Sequence, residues 1–180
     1  MKKVLNYILP LLGIALIVGL DQYTKLLTLA HVKGTEGFYI INKVLRIYFV
    51  SNEGMAWGMF QNKQIVFIII TPIVIAGLIY LYLKMPLEKK YIWMRICVVF
   101  LTGGAIGNLI DRIFRGEQLF HGSVVDMIYV ELINFPVFNV ADSFVSVGFV
   151  ILVVMMFIMK DDDLAWLKIK RKEKDKNENN

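Results

Sequence analysis

The sequence has little of what metal sites, disulfide scaffolds and thiol catalysis require. Its 180 residues include a single cysteine, Cys97, and two histidines, His31 and His121, which lie far apart in the chain. One cysteine excludes an internal disulfide, and the histidine spacing matches no zinc-binding motif. We therefore expect neither a metal ion nor another cofactor.

Charge is also scarce. Only 19% of the residues are charged and 57% are hydrophobic, against about 25% and about 45–50% in soluble domains. The apolar excess falls in four blocks, at 4–20, 65–83, 91–110 and 140–159. At about 1.5 Å per helical residue, each block can cross a hydrocarbon core of about 30 Å. This pattern excludes a disordered chain and an ordinary soluble enzyme, and it predicts an all-α membrane protein with four transmembrane helices.

The first apolar block resembles a secretory signal peptide, because Lys2 and Lys3 precede it. No small-residue cleavage site follows, however, and the apolar run ends at Asp21. We therefore expect this block to be retained as the first span.

The basic residues predict the orientation of the spans. Four spans place both termini on one side, and that side holds thirteen of the 20 Lys and Arg residues. Positive residues concentrate on the cytoplasmic side, so we expect cytoplasmic termini and outer loops at 21–64 and 111–139. Acidic and basic residues alternate near the C-terminus, which is typical of a solvated anchor. The prediction is thus a membrane domain at 1–160 and a charged cytoplasmic tail at 161–180.

The outer loops contain apolar and aromatic segments. Segment 37–50 is rich in aromatic and β-branched residues, and Asn42 and Lys43 can turn it into a hairpin. Segment 123–133 is also strand-like. Segment 55–60 is too short to span and is expected to lie at the membrane interface. These loops either cover the helix ends or form a platform that grips a lipid-embedded substrate.

Polar residues gather near the outer ends of the spans, where burial in lipid makes them costly and marks them as functional candidates. They come from distant parts of the chain and are the acids Asp21, Asp111, Asp126 and Asp142, together with Asn52, Asn108, Arg112 and Asn139.

Spacing assigns local roles to some of these residues and leaves others open. Asn108 and Arg112 share one helix face, and Arg112 pairs with a carboxylate, holds a backbone carbonyl or only snorkels to the interface. The spacing predicts that Asn139 is a helix N-cap with Asp142 at the third helical position. This would explain the presence of an acid at position 142 without a catalytic role. It does not explain Asp126, for which Asp142 is a candidate partner.

Five motifs in order carry a family resemblance. They are Asp21-Gln22-Tyr23-Thr24-Lys25 and the segments at 52–60, 103–113, 124–128 and 138–143. Together they resemble signal peptidase II, the bacterial lipoprotein signal peptidase, over about residues 1–160. Met55 departs from the pattern, since the family usually has a small residue there, and the tail is not part of it.

The resemblance implies an aspartic endopeptidase of the bacterial inner membrane that cuts lipid-modified prolipoproteins just before the diacylglyceryl-cysteine. It also implies a small extracytoplasmic β-cradle and a short interfacial helix beside the four spans. Asp126 and Asp142 match the catalytic pair. The positions that match substrate-binding or supporting residues are Asp21, Asn52, Gly54, Asn108, Arg112 and Asn139. The expected partners are lipidated prolipoproteins and membrane lipids, with no nucleic acid, and a monomer is expected.

Other classes fit the sequence less well. An ion-coupled transporter would carry its acids near the bilayer midplane, in broken or repeated helices. The Gly-x-Gly-Asp motif of another intramembrane aspartyl protease is absent, as is the Gly-x-Ser-x-Gly of a serine enzyme. A non-enzymatic scaffold would leave the polar motifs unexplained. Gly103, Gly104 and Gly107 have two interpretations: they admit a substrate helix, or they pack the protein's own helices.

Overall fold

The computed structural model describes residues 2–54, 64–160 and 162–167. This part of the chain forms four long helices and three strands. The helices are α1 (Lys2–His31), α2 (Gln64–Lys84), α3 (Ile92–Phe114) and α4 (Val140–Ile158). The strands are β1 (Phe38–Ile41), β2 (Leu45–Asn52) and β3 (Val124–Val130).

All four helices are long and apolar enough to cross a membrane. Helix α2 has no buried residue, although it is among the most apolar segments of the chain. In water this arrangement would be unfavourable, whereas in a bilayer the outward side chains meet lipid. The predicted all-α membrane fold with four transmembrane helices is confirmed.

Helix α1 is longer than the apolar block that predicted it. It continues to His31 rather than ending near residue 20, and its 30 residues correspond to about 45 Å of helix. Asp21 and Lys25, which lie beyond the apolar block, are both 0% exposed. A hydropathy pattern ends a span at such residues because it cannot show that another helix covers them.

Helix α3 is the centre of the bundle and packs against α1, α2 and α4. Two of its glycines permit close helix approach. A Cβ at Gly104 would lie 2.5 Å from the carbonyl oxygen of Ala141, and one at Gly107 would lie 2.6 Å from a carboxylate oxygen of Asp21. Gly103 likewise faces α1. These glycines therefore pack the protein's own helices, and the alternative of a substrate-facing surface is not supported.

The three strands form one antiparallel sheet in the order β1-β2-β3. A tight turn with Lys43 at φ 57 joins β1 to β2, so the hairpin at 37–50 is confirmed. In the β2–β3 register, Val50 lies opposite Asp126 and Asn52 lies opposite Val124. The sheet thereby brings Asn52 close to Asp126. The expected interfacial helix at 55–60 lies outside the described residues.

At the other end of the bundle, residues 162–167 fold back onto the start of α3. The Lys90 ammonium lies 2.7 Å from an oxygen of Asp163, and the Tyr91 hydroxyl donates to the Asp163 carbonyl at 2.8 Å. The Trp166 ring meets Tyr91 edge-on, with centroids 6.2 Å apart. The first part of the tail is thus packed against the membrane domain, and the rest of the tail lies outside the described residues.

Candidate active site

The site forms where the C-terminal part of α3, the N-terminus of α4 and the sheet meet. Asn108 and Arg112 come from α3, Asp142 comes from α4, and Asn52 and Asp126 come from β2 and β3. The five are separated by up to 90 positions in sequence, and the fold gathers their polar groups in one place.

Asn139 links the two candidate catalytic aspartates. Its side-chain oxygen accepts from the Asp142 backbone N–H at 2.9 Å, and its own backbone N–H donates to Asp142 Oδ2 at 3.2 Å. This reciprocal pair is a capping box, so the predicted N-cap is confirmed. The side-chain Nδ2 of Asn139 also donates to Asp126 Oδ1 at 2.6 Å. The N-cap residue of α4 therefore forms hydrogen bonds with both carboxyl groups.

Two further amides complete the contacts. Asn52 Nδ2 donates to Asp126 Oδ2 at 2.7 Å, and Asn108 Nδ2 donates to Asp142 Oδ1 at 2.7 Å. Each oxygen of both carboxyl groups consequently accepts at least one hydrogen bond from an amide. Uncharged donors orient a carboxyl group without supplying a counter-charge. The protonation state of the two carboxyl groups therefore depends mainly on their burial and on more distant charges.

Asp126 has an unusual proton affinity. The residue is 1% exposed, and burial, followed by the negative charge of Asp142, raises the pKa of Asp126 to about 7. Hydrogen bonds from Asn52 and Asn139 and the positive charge of Lys25 act in the opposite direction. A carboxyl group with this pKa exchanges its proton near neutral pH, as a general acid or base must.

A cavity of about 610 Å³ adjoins these groups. Its polar wall includes Asn52, Asn108, Arg112 and Asp142, and much of the remaining wall is apolar, including Phe67, Phe138 and Val145. Asp126 lies next to Asn52 and Asn139 but is not a lining residue. The cavity can hold an apolar molecule with a polar group directed at Asp142.

Arg112 holds backbone carbonyl groups. Its Nη2 donates to the Gly54 carbonyl at 3.2 Å and its Nη1 to the Asn108 carbonyl at 3.4 Å. The guanidinium also stacks over the Phe67 ring, 4.8 Å from the centroid. Gly54 in turn donates its N–H to Asn52 at 3.0 Å. Of the interpretations left open by the sequence, the carbonyl contact is the one that the structure has, and it orders the chain beside Asn52.

Asp21 occupies a different place from the other candidates. It does not line the cavity but belongs to a buried ionic cluster with Lys25, Asp111 and Arg115. Lys25 lies 2.8 Å from a carboxylate oxygen of Asp21 and 2.8 Å from one of Asp111. Arg115 pairs with Asp111 at 2.7 Å, so Asp111 is not paired with its neighbour Arg112.

Sequence reasoning missed Lys25 and Arg115. Neither is among the predicted site residues, and Lys25 is named only as the last residue of the first motif, although each lies four residues after an acid, Asp21 and Asp111 respectively. That spacing places each pair on one helix face and was a usable signal.

Comparisons with known proteins show the family of the chain. A family model described as signal peptidase (SPase) II matches residues 13–158. The chain is 39% identical over 151 residues to the lipoprotein signal peptidase of Enterococcus faecalis, covering 84% of this chain and 88% of the relative. It is 40% identical over 159 residues to that of Geobacillus thermodenitrificans, covering 87% and 91%.

Solved structures show the same architecture. One bacterial membrane enzyme matches with a TM-score of 0.73 and 29% identity, over 92% of this chain and 93% of that chain. A second matches with a TM-score of 0.68 and 31% identity, over 84% and 93%. The segment matched by the family model, residues 13–158, includes α2, α3, α4, the sheet and α1 from residue 13 onward, and the curated relatives are covered over most of their length. The chain therefore belongs to the signal peptidase II family of membrane peptidases.

Proposed function

We propose that this protein removes the signal peptide from lipid-modified prolipoproteins, cutting just before the diacylglyceryl-cysteine, and that Asp126 and Asp142 carry out the hydrolysis. The observation that carries the proposal is the contact of both carboxyl groups with one residue, Asn139, beside a largely apolar cavity. Family membership supports the substrate class.

The chemistry needs one proton shared by the two carboxyl groups. The ionised group takes a proton from water, whose oxygen attacks the scissile carbonyl carbon. The protonated group donates to the carbonyl oxygen, and a proton then passes to the leaving nitrogen as the C–N bond breaks. The pKa of about 7 for Asp126 supports this scheme, because such a group still carries a proton in about half of the molecules at pH 7. The pair titrates jointly, since the charge of Asp142 contributes to that value.

The cavity suits a substrate that carries acyl chains. Val147 and Phe135 line the cavity and are also 49% and 44% exposed. Val147 belongs to α4, so the cavity reaches the side of the bundle that meets lipid. A lipidated peptide can enter from the membrane, with its acyl chains against the apolar wall and its amide near Asp142.

The proposed location is the bacterial inner membrane, with both termini in the cytoplasm and the cavity at the outer face. The excess of Lys and Arg on the side of the termini supports this orientation. The proposed partners are lipidated prolipoproteins and membrane lipids. Because one chain supplies both aspartates and the cavity, we propose that a monomer is active. The excess of basic over acidic residues, 20 against 15, is then a consequence of the topology, and no nucleic acid is involved.

The test is cleavage of a lipidated precursor by the purified full chain in detergent or vesicles. We expect cleavage before the modified cysteine, slow or no cleavage of the same precursor without lipid, and no effect of a chelator. Failure of the wild-type protein to cut the lipidated precursor would contradict the proposed function.

The aspartates are tested with Asp126→Asn, Asp142→Asn and the double variant. Groups that share one proton act as a unit, so the three variants should lose activity to about the same extent. In the capping box, Asp142 accepts from the backbone N–H of Asn139, and an asparagine side-chain oxygen can accept the same hydrogen bond, so an Asp142 that served only the capping box would tolerate the change. Asp163→Asn, the same substitution at the other end of the bundle, is the control and should cleave normally. Substantial turnover by either single variant would remove that residue from the mechanism.

A further inference from the structure

A buried lysine lies behind the proposed catalytic pair and is not used by the mechanism above. Lys25 is 0% exposed, as are Asp21 and Asp111, to which its ammonium group is paired. A buried cation is costly unless its partners satisfy it. The third contact of the Lys25 ammonium is Asn108 Oδ1 at 2.9 Å, so all three of its N–H donors have an acceptor.

The two acids of this cluster also hold the backbone next to each catalytic aspartate. Asp21 Oδ1 accepts from the N–H of Ala141 at 2.9 Å, and Asp111 Oδ2 accepts from the N–H of Val125 at 3.1 Å. Ala141 directly precedes Asp142, and Val125 directly precedes Asp126. Lys25 joins the two acids, and its position therefore links the start of α4 to strand β3.

The contact with Asn108 reaches the catalytic pair by a second route. Because the Lys25 ammonium occupies the side-chain oxygen of Asn108, the amide nitrogen of Asn108 is directed toward Asp142 Oδ1, at 2.7 Å. Asn139 Nδ2 also donates to this oxygen, at 3.1 Å, but Lys25 is the charged donor of the two, so its contact is the stronger restraint on the orientation of the amide.

Lys25 also acts on the pair through its charge. Among the residues that the structure describes, the charged groups that act on Asp126 are Lys25 from α1, Arg112 from α3 and Asp142 from α4, and the sheet contributes the amide of Asn52. The positive charge of Lys25 lowers the pKa of Asp126. Its removal should therefore make the pair hold its proton to higher pH.

We propose that Lys25 is a positioning residue, which sets the spacing and protonation of Asp126 and Asp142 through Asp21, Asp111 and Asn108 without touching the substrate. This inference rests on the proposed function, since it concerns the same pair of aspartates. It predicts that Lys25 affects turnover and its pH dependence rather than substrate binding.

The experiment compares pH profiles of cleavage for wild type, Lys25→Met and the double variant Lys25→Met/Asp21→Asn. The double variant removes one charge of each sign and keeps an oxygen for the Ala141 N–H, so it avoids an unpaired buried acid. We expect kcat to fall about 100-fold, as for a small misplacement of reacting groups, with KM nearly unchanged. The alkaline limb of Lys25→Met should move up by about half a pH unit. The double variant, which also removes a negative charge, should shift less.

Two further variants separate geometry from charge. Lys25→Arg keeps the positive charge but not the compact ammonium, so kcat should fall while the alkaline limb stays in place. Lys33→Met is the matched control, because Lys33 is exposed and its ammonium group lies over the ring of Phe49, and its profile should match wild type.

The outcomes distinguish this inference from the proposed function. A charge-balanced variant with the wild-type kcat would overturn the inference, as would an unchanged pH profile of Lys25→Met or a loss of activity that only follows the amount of folded protein. If the wild type cleaves and Asp126→Asn does not, the proposed function stands in either case. If the wild type does not cleave the lipidated precursor, the proposed function itself fails.

Discussion

Replacement of Asn139 by aspartate separates its capping role from its role at the site. The side-chain oxygen that accepts from the Asp142 N–H would remain, as would the backbone N–H that donates to Asp142 Oδ2. The Nδ2 donor, which lies 2.6 Å from Asp126 Oδ1 and 3.1 Å from Asn108 Oδ1, would be lost. A third carboxyl group would then face Asp126 at hydrogen-bond distance.

The magnitude follows from these contacts. Asp and Asn cap helices about equally well, so the thermal stability of the variant should change little through the cap itself. Loss of a hydrogen bond to a charged group costs about 1.5–3 kcal/mol, which corresponds to roughly 10- to 150-fold in rate if the bond acts in the transition state. The added like charge should raise the pKa of Asp126 above its present value of about 7.

The assay is the rate of cleavage of a lipidated precursor from about pH 5 to pH 9, together with thermal unfolding of the same preparation. We expect a rate lower by about one to two orders of magnitude and an alkaline limb at higher pH. Asn139→Ala is the comparison, because it removes both bridge and cap and should also lose about 1 kcal/mol of stability. A rate within twofold of wild type and an unchanged pH profile for Asn139→Asp would refute the bridging role.

Three other predictions concern the cavity wall, the orientation and the tail. Arg112→Lys should lower cleavage by about tenfold with normal insertion, because one ammonium cannot replace two carbonyl contacts and a ring contact; wild-type activity would leave only a snorkelling role. A reporter that works only outside the cytoplasm should be active when fused within 115–120 and inactive at 86–88, and the reverse pattern would contradict the orientation. Truncation after residue 167 should leave cleavage unchanged, whereas Trp166→Ala should cost about 1 kcal/mol of stability, measured by thermal unfolding; a truncated but folded protein without activity would show a role for the tail.

Local patterns in the sequence were sufficient for much of the fold. The four spans follow from the length and position of the apolar blocks, and the hairpin follows from its aromatic and β-branched residues around a turn at Asn42 and Lys43. The cap at Asn139 follows from its spacing to Asp142. Each of these features depends on neighbours within a few residues or on contact with lipid. The local order of apolar and polar residues is therefore enough to predict them.

The role of the glycines required the packed structure. Gly104 and Gly107 permit close packing in either interpretation, and only their distances to Ala141 and Asp21 assign them to the protein's own helices. A small residue shows that something approaches closely, but the sequence does not say what. The same holds for Arg112, whose partner was decided by the position of the Gly54 carbonyl.

The sequence by itself determined a four-span membrane protein and marked Asp21, Asp111, Asp126 and Asp142 as candidate functional acids, since residues costly in lipid stand out against apolar surroundings. The family resemblance then singled out Asp126 and Asp142. Tertiary structure alone decided that α1 continues to His31, that Lys25 is buried between two acids, and that Asn139 joins Asp126 to Asp142. The physical reason is that a polar residue ends an apolar pattern whether it faces water or a buried partner. Lys25 and Asn108 are 83 positions apart, and only packing of α1 against α3 turns an apparent end of a span into a buried contact beside the candidate active site.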